Sequence, residues 1–190
     1  MNMMPNFPSD IAVPVQNYLS GERYILRRID ELEVSPSLVQ GVTTICNEPS
    51  VYKWIFEDLF GSTPYTKDKA ESFFEIGLNG WKEKKHFIFL LMSQTGDVVA
   101  AIDIKSPDLE NAEIGYWASE LHRGCMTNTV LALLSLARTA GYFRLFGRVK
   151  KENIASMKVL SRAGFQNDTV KSESCDTHNY YQVFLKTMGE

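Results

Sequence analysis

The chain has 190 residues, enough for one domain with its own core, and 44% apolar with 23% charged residues describes a folded protein rather than a disordered one. A formal net charge of -3 gives no electrostatic basis for bulk nucleic-acid binding. The three cysteines, Cys46, Cys125 and Cys175, are odd in number and far apart, which argues against a disulfide framework or a zinc site and for a reducing, cytoplasmic compartment.

Met1 to Ser20 contains three prolines and no apolar run long enough for a signal sequence or a membrane span. It reads as an N-terminal arm, partly disordered or folded over the surface, ahead of a single domain over residues 21–190. Arg23 to Ile29 alternates polar and apolar residues, as a strand does. Ser37 to Phe60 has helical spacing broken at Asn47–Ser50, where Pro49 cannot continue a helix interior, so two short helices are expected. After Gly61–Pro64, Thr66 or Asp68 opens a helix to about Glu83.

The middle of the chain is β. His86–Met92 is a buried strand, Gln94–Asp97 a hairpin turn, Val98–Lys105 its partner, and Ala112–Ala118 the third strand of an antiparallel meander. The period then changes. Met126, Val130, Leu133, Leu134 and Ala137 recur at helical spacing with Gly141 as a stop, and Arg144–Val149 is a strand. Strand, helix, strand implies parallel pairing through a crossover. Asn153 caps a helix ending at Gly164, and Asn179–Lys186 is the final strand. The expected fold is α+β, with a mixed, largely antiparallel central sheet and helices on both faces.

The chemistry concentrates in two segments. Leu121–Thr129 joins a strand to a helix start, where unpaired N–H groups and the helix dipole suit an anion and Gly124 admits close approach; read alone, it also suits an ordinary turn. In Asn153–Phe165, Asn153, Ser156 and Leu160 share one helix face, although Asn153 alone reads equally as an N-cap.

Ala112-Glu-Ile-Gly-Tyr-Trp117, Arg123-Gly-Cys-Met-Thr127, Asn153-Ile-Ala-Ser156 and Arg162-Ala-Gly-Phe165 together resemble the GCN5-related N-acetyltransferase (GNAT) family, and within it the branch of ribosomal-protein N-terminal acetyltransferases. The resemblance covers Glu22 to Lys186. It implies acetyl-CoA as acyl donor, no metal, and an amine acceptor, a small molecule or a protein N-terminus. It places Arg123, Gly124, Cys125, Met126, Thr127 and Asn128 at the phosphates, Trp117 and Ala118 on a splayed strand along the pantetheine, and Asn153 and Ser156 near the sulfur. Leu121 and Met126 depart from the family's Gln/Arg-x-x-Gly-x-Gly/Ala loop, and Leu160 stands where many members carry a tyrosine acid.

Catalysis needs a proton acceptor for the amine, oxyanion donors and a donor to the leaving thiolate. Glu113 is the expected base and Ser156 the thiolate donor, with His86 and His122 as weaker bases and Cys125 as packing beneath the loop. Tyr52 and Trp54 are the expected substrate-binding rim, against the alternative of packing anchors. Lys150 and Lys151 suit either the adenosine phosphate or solvent. A monomer or homodimer without membrane or nucleic-acid partners is expected. The competing reading is a catalytically degenerate CoA- or partner-binding module on the same scaffold; a Rossmann-like domain is disfavoured because no GxGxxG follows the first strand.

Overall fold

A computed structural model gives the fold and describes residues 4–185. The run Phe87–Met92 is strand β3, buried at every position. β4, Val98–Ile104, folds back on it through a turn in which the Ser93 N–H donates to the Asp97 carbonyl at 2.8 Å. β5, Ala112–Ala118, completes the meander, and β2, Arg23–Arg28, lies on the other side of β3. β3 and, but for Asp103, β4 are apolar on both faces because both are covered.

Helices supply the cover. Ser35 caps α1, Pro36–Cys46, by accepting from the Leu38 N–H at 3.3 Å, and Pro36 sits in the first turn, where no N–H is required. Beyond the break at Asn47 the expected second helix comes in pieces: α2 (Pro49–Val51), a π-turn (Tyr52–Phe56) and α3 (Glu57–Phe60). α4, Lys67–Glu83, sets Phe73 against Trp117 of β5, with ring centroids 6.1 Å apart. α5, Met126–Thr139, leads to β6, Arg144–Lys150, which returns parallel to β5. α6, Ile154–Arg162, covers the opposite face, where Leu160 lies over Gly147.

β8, His178–Phe184, pairs antiparallel with β6; β7 (Gln166–Asn167) and α7 (Thr169–Glu173) fill the connection and have no counterpart in the sequence reading. Lys186, expected as the last strand residue, lies outside the described residues. The result is one mixed, mostly antiparallel sheet in the order β1-β2-β3-β4-β5-β6-β8-β7. Among the described residues no helix is long and apolar enough to cross a membrane.

The segment expected as an arm contributes β1, Ala12–Gln16, antiparallel to β2. Its proline is tolerated because β1 is an edge strand. Asn17 follows, 1% exposed; its side chain donates to the Arg123 carbonyl at 3.0 Å and accepts from the Leu19 N–H at 2.9 Å. Earlier in the segment, the Phe7 ring packs on Trp81 and Phe87. Asn17→Ala should lower the unfolding free energy by about 1–3 kcal/mol, because two main-chain groups lose their partner at a buried position. Urea denaturation measures this, and a loss below about 0.5 kcal/mol would show that the segment is not held by this residue.

Candidate active site

β5 and β6 are parallel neighbours over two register pairs only, Ala112↔Leu145 and Glu113↔Phe146. Past them the strands part. Backbone groups alternate sides along a strand. The Glu113 carbonyl accepts from Lys105 N–H at 2.9 Å and Ser119 N–H donates to the Val99 carbonyl at 2.9 Å. Glu113, Gly115, Trp117 and Ser119 therefore spend their main chain on β4, and Tyr116 and Ala118 turn theirs into the gap beside β6. This corrects the expectation for Trp117. Its backbone pairs across to Ala101, and its side chain, buried against Phe73, packs under the cleft.

The gap opens toward the C-terminal end of β5, where the chain passes through Ser119–Cys125 into α5. The first backbone bond of that helix joins the Thr129 N–H to the Cys125 carbonyl at 3.1 Å. The amides of Met126, Thr127 and Asn128 thus stand ahead of the ladder at the positive end of the helix. The carbonyls just before them are held elsewhere, Arg123 by the Asn17 side chain and Gly124 by the Tyr18 N–H at 3.4 Å. Gly124 has φ +102°, and a Cβ there would overlap the Asn17 side-chain oxygen, so no other residue fits without strain. A cradle of free amides closed by such a glycine fits a diphosphate.

Side chains of this loop mostly brace it. Ser119 Oγ donates to Glu48 at 2.7 Å and the Glu120 N–H to the same carboxylate at 2.5 Å, tying the loop to the α1–α2 junction. His122 Nδ1 meets the Tyr24 hydroxyl at 2.9 Å, which argues against a role as base. Asn128 turns its amide to the Gln16 carbonyl at 2.6 Å, and the Thr127 side chain is buried, so of these two only the main chain is free for an anion. Cys125 is fully buried, and burial pushes its thiol up to about 11, an inert packing group. Arg123 is exposed at the cleft edge.

On the α6 side, the Asn153 side-chain oxygen accepts from the Ser156 N–H at 3.1 Å, so it caps the helix and only its amide nitrogen remains for a ligand. Ser156 Oγ lies 2.7 Å from the Tyr116 hydroxyl. Burial pushes the Tyr116 phenol well above its ordinary value, keeping it a neutral donor. Leu160 is buried and offers no acid.

These elements border one cleft of about 880 Å³. Trp54 lines it, with Lys53 Nζ 4.6 Å from its ring centroid. Tyr52 does not: its hydroxyl donates to the Gly61 and Thr63 carbonyls and its ring packs on Phe56, so it fastens a turn instead of forming the rim. Lys150 is paired with Asp58 at 2.6 Å. Glu113 is held between Lys105 at 2.7 Å and Arg148 at 3.1 Å. Burial works to raise its pKa, but Lys105 and then Arg148 outweigh it and keep the carboxyl below its usual range. Such a carboxylate is a poor proton acceptor, which counts against the expected base. Tyr18 and Asp103, neither anticipated as a site residue, also line the cleft, as does Tyr116, of which only the backbone was expected there.

Residues 23–166 match the family model described as an acetyltransferase (GNAT) domain. The chain belongs to the GNAT acetyltransferase family. The GNAT fold is shared with solved structures at low identity. RimJ from Mycobacterium smegmatis, in complex with CoA-disulfide, has TM-score 0.70 and 18% identity, covering 99% of this chain and 93% of its own. The Salmonella typhimurium acetyltransferase that modifies the N-terminal serine of ribosomal protein L7/L12 has TM-score 0.67 and 20% identity, covering 86% and 95%. The ribosomal-protein-S5-alanine acetyltransferase from Vibrio fischeri has TM-score 0.69 and 14% identity, covering 93% and 98%. A search of curated protein sequences finds no significant match.

The clamp on Glu113 carries a stability signature. Its folded pKa lies below the ordinary 4.5, so the clamp stabilises the GNAT domain above that value and the contribution is lost as pH falls through the folded value. Glu113→Gln should therefore flatten the acid limb of Tm against pH below about pH 5. An unaltered acid slope would show the carboxylate to be unpaired in solution.

Proposed function

We propose that this GNAT enzyme moves the acetyl group of acetyl-CoA directly onto a primary amine, a protein N-terminus or a small-molecule amine, in the cytoplasm as a monomer or homodimer. No metal, nucleic acid or membrane takes part. One observation carries the reading: the unpaired main chain of Tyr116 and Ala118 runs straight into the free amides at the start of α5. A diphosphate at the one and an extended amide-bearing arm along the other match the two halves of coenzyme A.

In this reading the amides of Gly124 and Met126–Asn128 hold the diphosphate, and Arg123 adds an exposed cation at its edge. Tyr116 and Ala118 pair with the pantetheine arm as they would with an added strand, and their N–H groups lie on the side where the thioester oxygen gains charge. Ser156 donates to the departing sulfur. Tyr116, bonded to it, keeps the serine hydroxyl oriented. Trp54 and the α1–α3 side border the acceptor end of the cleft. That RimJ is seen with a coenzyme A species and that the Salmonella enzyme modifies an N-terminal serine support this choice of donor and of acceptor class.

A second reading, a CoA-binding module without turnover, draws on the buried Leu160 and the neutralised Glu113. Both readings expect acetyl-CoA to bind by calorimetry, and Gly124→Ala to weaken binding at least about tenfold, or about 1.4 kcal/mol; absence of binding removes both. Release of CoA thiol with amines and N-terminal peptides separates them. Under the first, Ser156→Ala lowers kcat by about 10–100-fold with the KM for acetyl-CoA little changed, and Tyr116→Phe lowers it less. Full turnover in Ser156→Ala would refute the assigned donor.

A further inference from the structure

Asp103 is the one charged residue in β4. Its register partner on β5 is Gly115. A Cβ on Gly115 would stand 2.8 Å from Asp103 Oδ1 and 2.9 Å from Lys105 Cε, so the missing side chain leaves room for the carboxylate and the lysine arm on the floor of the cleft that all three residues line. The carboxylate is held by two donors, the Gly115 N–H to Oδ1 at 2.7 Å and His86 Nε2 to Oδ2 at 2.5 Å. Both side chains are largely buried, 18% exposed for Asp103 and 27% for His86.

The charged groups on the same face are already matched. Lys105, just past β4, and Arg148 on β6 both pair with Glu113 on β5, and among the described residues the ion-pair partner of Asp103 is His86. Of the two carboxylates that β4 and β5 bring to the cleft, Asp103 is therefore the one with no lysine or arginine ion pair among the described residues. Glu120, in the loop after β5, accepts from the Ser50 N–H. With Asp103 ionised, the bridging proton resides on Nε2, and the imidazole orients the carboxylate as a second-layer donor does.

We propose that Asp103 receives the ammonium group of the acceptor and takes its proton, with His86 as a positioning residue acting through Nε2–H. The inference rests on the amine-acetyltransfer reading above. One ammonium N–H bond breaks and an O–H bond forms on Asp103, which returns the proton to water. The freed nitrogen lone pair forms the C–N bond to the thioester carbonyl carbon as the C–S bond breaks. The second amine proton reaches the departing sulfur by way of the Ser156 hydroxyl.

The test uses the full chain, acetyl-CoA and the amine or N-terminal peptide that wild type turns over fastest. Asp103→Asn should lower kcat/KM for the acceptor by about 10²–10⁴-fold and leave the Kd for acetyl-CoA unchanged. His86→Phe removes the donor that orients the carboxylate, so kcat for the acceptor should fall at least about tenfold with the Kd for acetyl-CoA unchanged; His86→Gln, which keeps a donor, should restore it. A merely structural His86 would change stability without this selective loss of kcat or its rescue by glutamine. Turnover by Asp103→Asn within about threefold of wild type overturns the proposal. Acetyl-CoA binding by wild type without transfer to any amine overturns the transferase reading itself, and this inference with it.

Discussion

The site depends on the brevity of the contact between β5 and β6. A strand with unpaired main chain is normally a liability, sealed by a neighbour or by water. Here neither strand can close the gap, because each is fully engaged on its far side, β5 by β4 and β6 by seven register pairs with β8. At the narrow end Glu113 bridges β4 and β6 through Lys105 and Arg148. At the wide end Tyr116 reaches Ser156 of α6, so unpaired main chain and a pair of bonded hydroxyls share one wall. Divergence of two strands thus produces free amides, a cleft and a positioned hydroxyl together.

The anion cradle is built from parts distant in sequence. Asn17 holds the carbonyl of Arg123 and crowds Gly124, so the turn keeps its shape without depending on its own side chains. Glu48 braces the same loop from the α1–α2 junction. The departures of Leu121 and Met126 from the family loop leave its main chain unchanged: the free groups are N–H groups, and Leu121 is 86% exposed. Asn17, buried, and Glu48, half-buried, thereby link the glycine loop, the α1–α2 junction and the edge strand in one hydrogen-bonded frame.

Much of this was legible in the residues. The meander, the crossover from β5 through α5 to β6, the glycine turn and the capped α6 all follow from periodicity and caps, because these signals are local. β1 was missed although Ile11, Val13, Val15 and Asn17 alternate inward; Pro14 masked the pattern until the strand proved to be an edge. Asp103 also left a trace, a lone acid in an otherwise apolar strand, yet its pairing with His86 depends on the register between β3 and β4. Glu113 looked like a base on the right strand, and nothing in its neighbourhood of sequence announced Lys105 and Arg148 as partners. Tyr52 and Trp54 stand two residues apart, and the π-turn sends one to a turn and the other to the cleft.

By itself the sequence determined most of the elements, their order and the family, and marked the glycine turn ahead of α5, because propensity, period and capping act over a few residues. Only the tertiary structure decided which main-chain groups remain unpaired, which acid is neutralised and which hydroxyls meet. Those outcomes turn on register across the sheet, where a shift of one residue sends each backbone group and side chain to the other side.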